Sequence, residues 1–162
     1  MAGEDPERTL ATDAFWLDYV AAGAPAGDYT VASFGDGAGL STELLALVEQ
    51  GRKRATASLL RDFENADQAL PTVGDRIVCV DHRRSPRLIW QATDVEVKPM
   101  IEVDDAFAWD EGEGDRTRAD WLAQHRRYFE RQAAREGWRM TDREPVVFER
   151  FRVVWPPEWA DA

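Results

Sequence analysis

The chain has 162 residues, 44% of them hydrophobic and 31% charged, with a formal net charge of −11 and one cysteine. That length supports one domain with its own core, and the lone Cys79 excludes an internal disulfide while no Cys/His cluster offers a zinc site, so a cytoplasmic setting is expected. No run approaches the roughly 20 apolar residues of a membrane span, the start is acidic where a secretion signal is basic and then apolar, and the negative balance disfavours duplex DNA, whose binding relies on basic groups displacing counterions.

Residues 12–20 read as a first helix, capped by Thr12 or Asp13, with Phe15, Trp16, Tyr19 and Val20 as its apolar stripe. A β-rich stretch at 29–34 follows and breaks at Gly35-Asp36-Gly37. Ser41 is the expected cap of a leucine-rich helix that Gly51 stops. A short strand is expected at 57–60, a polar loop at 61–72, and a turn at Gly74-Asp75 into a strand at 76–81 with apolar residues on both faces. Residues 88–97 form another β-like run, and the short turns between these strands favour antiparallel pairing. Beyond Pro99 lies an acidic, loop-like stretch, 102–115. Thr117 then caps the clearest helix, running to about residue 135 on Trp121, Leu122, His125, Tyr128, Phe129 and Gln132 or Ala133, and Gly137 closes it. A last strand, 146–155, ends at Pro156-Pro157. The order predicts an α+β fold whose mainly antiparallel strands curl into a small β-barrel with flanking helices.

The charge is uneven. Residues 1–50 carry Arg8 as their only basic residue against nine acids, whereas 51–100 hold nine basic residues against seven acids. Only Lys53 and Lys98 among the 20 basic residues are lysines, and a lysine can lose its proton where arginine cannot.

Gly51-Arg52-Lys53-Arg54-Ala55-Thr56 resembles the GxKxxT motif of the ASCH-domain family. A leucine-rich helix precedes it, and Val73-Gly74-Asp75, Phe107-Ala108, Glu111-Gly112-Glu113-Gly114-Asp115, a Trp121…His125 helix and Phe148-Glu149-Arg150-Phe151 follow in that family's order. The resemblance implies a PUA-like barrel, taken as 29–157; outside it, a helical extension at 1–28 is expected to pack on the domain and 158–162 to form a tail. It also implies a cleft at the GxKxxT segment and an association with RNA. Some members that resemble this pattern remove the acyl group from N4-acetylcytidine with a lysine, a threonine and a glutamate; others cleave RNA. By motif position the catalytic residues would be Lys53, Thr56 and Glu111, with Glu113 as an alternative carboxylate. Arg52, Arg54, Trp109 and Glu113, which lie in or beside these motifs, are the candidates for substrate contact.

Lys53 and Thr56 would share a face in a helix but take opposite faces in a strand, so a shared site needs a turn or bulge. Burial in a cleft would favour a neutral lysine able to take the Thr56 proton, with Glu111 donating to the leaving amine and then activating water. The plainer alternative makes Lys53 a surface charge at a helix end and Thr56 a strand residue. The acidic loop lacks the spacing of a calcium loop; no metal or cofactor is expected, with a divalent cation only in a ribonuclease. His125 reads as a core histidine, and neither histidine has a partner for a Ser/His/Asp triad. Arg52, Arg54, Arg61, Arg83, Arg84 and Arg87 would line a phosphate path, with Trp90 or Tyr29 stacking on bases, unless they form a solvated face. Two functions stay open: hydrolysis of a modified nucleoside or related small amide, and binding of single-stranded RNA with or without cleavage. The oligomeric state is not legible.

Overall fold

A computed structural model describes residues 7–162; residues 1–6, the head of the expected extension, lie outside the described residues. In chain order the elements are α1 (Leu10–Ala21), β1 (Thr30–Ala32), α2 (Ala38–Glu49), β2 (Ala55–Leu59), α3 (Leu60–Asn65), β3 (Arg76–Val80), β4 (Pro86–Pro99), α4 (Asp105–Glu111), α5 (Arg118–Glu136) and β5 (Pro145–Trp155), with a 3-10 turn at Met100–Glu102.

The strands form one five-stranded sheet in the order β1-β3-β4-β5-β2. It curls into a half-barrel with helices against it, an α+β arrangement. Every pairing is antiparallel except β1 with β3, which run parallel. A crossover through α2, β2 and α3 separates those two in sequence, as parallel neighbours require. The register of β4 on β5 shifts between Ala92 and Asp94, and a bulge of this kind sharpens the bend of a curled sheet.

Both faces of the sheet are buried. On one, Ala55, Ala57, Leu59, Val146 and Phe148 pack with Phe107 of α4 and Trp121, Leu122 and Phe129 of α5. On the other, Phe34, Leu44, Leu45 and Val48 pack on Ile77, Cys79, Leu88, Trp90, Phe151 and Val153. Each buried Leu, Val or Phe contributes about 1.5–3 kcal/mol of apolar transfer, so these two layers fix which side of each strand faces which helix. α1 adds a smaller cluster in which Trp16 stacks on Tyr29 at 5.1 Å and Tyr19 meets Trp155 at 5.8 Å. Among the described residues no helix is long and apolar enough to cross a membrane.

Several local expectations are corrected. α1 is capped by Thr9, not Thr12 or Asp13; Thr9 and Thr12 form a reciprocal capping box. α2 starts at Ala38 behind Gly37, which puts Ser41 inside the helix and buried. The polar segment after β2 opens with the helix α3, whose Arg61 lies over the Trp138 ring and pairs with Glu144, and whose Asp62 accepts from Gln132. The acidic stretch contains α4, capped by Asp104, whose side chain accepts the Phe107 N–H. These two helices span 6 and 7 residues, too few to show an apolar period, and tertiary partners hold them. α5 matches its expected cap and stripe, and Ala133 rather than Gln132 is the buried member.

Candidate functional site: a buried ammonium between two carboxylates

Two backbone segments meet to form the site. After α2, Gly51 takes a left-handed conformation at φ +79, and the next two N–H groups, of Arg52 and Lys53, both donate to Leu47 O. The chain then runs alongside the end of α4: Arg54 N donates to Asp110 O at 2.7 Å, and the Arg52 guanidinium donates to Gly112 O and Gly114 O at 2.8 and 3.0 Å. Gly112 ends α4 at φ +71, and a Cβ built there would lie 2.3 Å from Arg52 O. Only glycine permits both the left-handed turn and this approach.

The contact faces Lys53 toward the acids on either side of Gly112. Its Nζ donates to Glu111 Oε2 and, at 2.9 Å, to Glu113 Oε2. Lys53 and Glu111 are fully buried and Glu113 is 9% exposed. Glu111 Oε1 accepts the Trp121 indole N–H at 3.1 Å. His125 stacks on Trp121 at 3.7 Å, and its Nδ1 is bonded to Trp121 O. Its buried Nε2 makes no hydrogen bond but stands 3.3 Å from Glu111 Oε1. His125 is therefore in the core, as expected, and also reaches the site.

The electrostatics favour a charged Lys53–Glu111 pair. Desolvation opposes charge on Lys53, but the fields and hydrogen bonds of Glu111 and Glu113 outweigh it and raise the lysine above its ordinary value. Burial likewise works against ionisation of Glu111, yet the Lys53 charge outweighs it and holds the carboxyl well below the usual carboxylate range. Lys53 is thus an ammonium and Glu111 a carboxylate. Burial alone favours a neutral lysine and a protonated glutamate; the carboxylates around Lys53 shift the balance toward the ammonium–carboxylate pair, because the same fold that removes water supplies the counter-charges.

Thr56 lies in β2 opposite Glu149 of β5. It is 4% exposed, and its Oγ1 has no hydrogen-bond partner. Glu149 Oε2 accepts the Trp90 indole N–H at 2.6 Å. Trp90 stacks between Phe34 and Phe151 at 5.3 and 4.7 Å, and the Phe34 ring centre lies 5.4 Å from Lys53 Nζ. The aromatic stack therefore links the Lys53 cluster to the Thr56 and Glu149 pair. Burial pushes the Glu149 carboxyl up to about 7, with the Asp75 charge adding to it and the Trp90 hydrogen bond opposing it.

The other expected site residues have partners of their own or stand in solvent. The Arg52 guanidinium is spent on the α4 turn, as above. Arg54 pairs with Asp161 and donates to Val48 O and Lys53 O. Trp109 is 58% exposed with the Arg116 guanidinium 3.8 Å over its ring. Among the wider arginines, Arg61 pairs with Glu144 and Arg87 with Glu49. Glu111, Glu113 and His125 present ligand atoms within 4.8 Å of one another, a spacing that suits a divalent cation, but the Lys53 ammonium already bridges the two carboxylates. Glu149 was visible in the sequence only as part of the Phe148–Phe151 motif; its role depends on register, which no local pattern reports.

The ASCH domain model matches residues 30–155, and the chain belongs to the ASCH domain family. Its fold is similar to the ASCH domain structure from Lactobacillus crispatus JV V101, with 26% identity, a TM-score of 0.80 and coverage of 91% of this chain and 96% of that one. It is also similar to protein EF3133 of Enterococcus faecalis V583, with 28% identity, a TM-score of 0.77 and coverage of 88% and 86%. No curated protein matches the chain.

Proposed function

We propose that the protein hydrolyses a small amide of the N4-acylcytidine type, with Thr56 as nucleophile and Lys53 and Glu111 at its side. The observation that carries this reading is a buried ammonium held between carboxylates, three residues along the chain from a buried hydroxyl that has no hydrogen-bond partner. Burying charges costs several kcal/mol per ion even after pairing, so such a cluster is a poor way to stabilise a fold and a good way to prepare a field. Lys53 supplies a fixed positive charge for the oxygen that turns negative when an acyl carbon is attacked, and Glu111 and Glu113 hold that charge in place and protonated. No step of this scheme calls on a metal ion.

RNA binding, with or without cleavage, is the second reading, since ASCH domains are associated with RNA. Arg52, Arg54, Arg61 and Arg87 being engaged by protein partners and the net charge of −11 both weigh against a long phosphate path. The test is incubation of N4-acetylcytidine with wild type, Lys53→Ala and Thr56→Val, followed by chromatography. Cytidine released by the wild type alone supports the amide reading. Wild-type protein that is folded and inactive overturns it, and salt-dependent RNA binding then becomes the leading account.

A further inference from the structure

The scheme above leaves the proton of Thr56 without a destination. The ion pairs among Lys53, Glu111 and Glu113 favour the ammonium form of Lys53, which has no lone pair for that proton, and lower the basicity of Glu111. The sheet supplies another group. Thr56 and Glu149 are register partners in the antiparallel β2–β5 ladder, so their side chains leave on the same face with Cβ atoms about 5 Å apart. Both are buried, at 4% and 7% exposure.

Glu149 is also a costly choice for a structural residue. It accepts a hydrogen bond from the Trp90 indole N–H, which a glutamine oxygen would accept without the penalty of burying an ionisable group. A carboxyl at this point adds one property an amide lacks, the ability to hold and release a proton.

We propose that Glu149 is the general base that takes the proton from Thr56 Oγ1 as that oxygen attacks the acyl carbon. The proposal rests on the reading of Thr56 as nucleophile. In acylation the C–O bond to Thr56 forms, the Oγ1 proton passes to the Glu149 carboxylate, and the C–N bond breaks as the leaving nitrogen takes that proton. In deacylation water attacks the Thr56 ester, its proton passes to Glu149, and the departing Thr56 oxygen takes it back, which regenerates both groups. The Trp90 N–H orients the carboxylate throughout. The groups facing Glu149 are Thr56 from β2, Trp90 from β4 and the more distant Asp75 before β3. Asp75 is the charged one, and it strengthens Glu149 as a base.

The experiment follows p-nitrophenol release from p-nitrophenyl acetate, an activated acyl donor, by wild type, Glu149→Gln and Thr56→Val from pH 5 to 9, with thermal unfolding as a check on folding. Wild type is expected to accelerate release along a limb near pH 7. Glu149→Gln is expected to lose about 100-fold or more in kcat, with little change in KM and without that limb, as removal of a general base predicts. A folded Glu149→Gln protein that keeps the wild-type rate or limb overturns the proposal, as does a wild type no faster than Thr56→Val. N4-Acetylcytidine is assayed on the same preparations. Glu149-dependent ester cleavage without cytidine release would remove the amide reading and leave the role of Glu149 standing.

Discussion

Replacing Glu149 by glutamine should change stability in a pH-dependent way that can be read without any substrate. The Glu149 carboxyl lies at about 7 in the folded protein against an ordinary value of 4.5. Between these values the folded chain holds a proton that the unfolded chain has released, so wild-type stability falls as pH rises through that window. The shift is about 7 minus 4.5, or about 2.5 units, and at 1.36 kcal/mol per unit it corresponds to about 3 kcal/mol. Glutamine keeps an oxygen for the Trp90 N–H but does not titrate. The stability of the variant relative to wild type should therefore rise by about that amount between pH 4.5 and pH 8, with most of the change complete by pH 7.5. Urea unfolding at half-unit steps of pH, followed by tryptophan fluorescence, measures the difference directly, and the contributions of the other carboxylates cancel between the two proteins. Parallel curves for the two proteins would mean that Glu149 titrates normally and that its burial has been misread.

Lys53→Met should cost about 3–5 kcal/mol in urea unfolding, because it leaves Glu111 and Glu113 buried without their counter-charge; added salt should recover little of that loss, since a buried pair is poorly screened. Glu111 shows the opposite linkage to Glu149. Its carboxyl is held well below its ordinary value, so its contribution is present above that value and lost as pH falls through the folded one, and Glu111→Gln should flatten the acid limb of the stability profile. Gly112→Ala should cost at least about 1–2 kcal/mol from its left-handed backbone, with a further loss from the clash with Arg52 O, and should lower activity by parting Lys53 from its carboxylates; wild-type thermal stability in that variant would refute the account of how the two segments meet.

The periodic and punctuated parts of the fold were legible in the sequence. α5 shows its cap at Thr117, its apolar spacing and its stop at Gly137, and the longer strands show β-rich runs between turn residues, because these signals are local. α3 and α4 were not legible, since a helix of two turns held by Arg61, Asp62 or Phe107 owes its existence to partners far along the chain. The same division runs through the candidate site. The GxKxxT motif and the acidic run marked Lys53, Thr56, Glu111 and Glu113 as residues to watch. Arg52, Arg54 and Trp109 looked equally available by sequence; the fold engages the Arg52 and Arg54 guanidinium groups in hydrogen bonds and an ion pair and leaves Trp109 exposed beside Arg116.

The sequence by itself determined which residue types could carry chemistry and which long elements would form, because propensity, capping and hydrophobic period act over a few residues. Tertiary structure decided what those residues are. The close approach of Arg52 and Gly112 encloses Lys53 with two carboxylates and keeps it charged, and the β2–β5 register sets Thr56 beside Glu149. Charge state depends on burial and neighbours, and register on the pairing of strands separated by 85 residues between Leu59 and Pro145; neither quantity exists until the chain has folded.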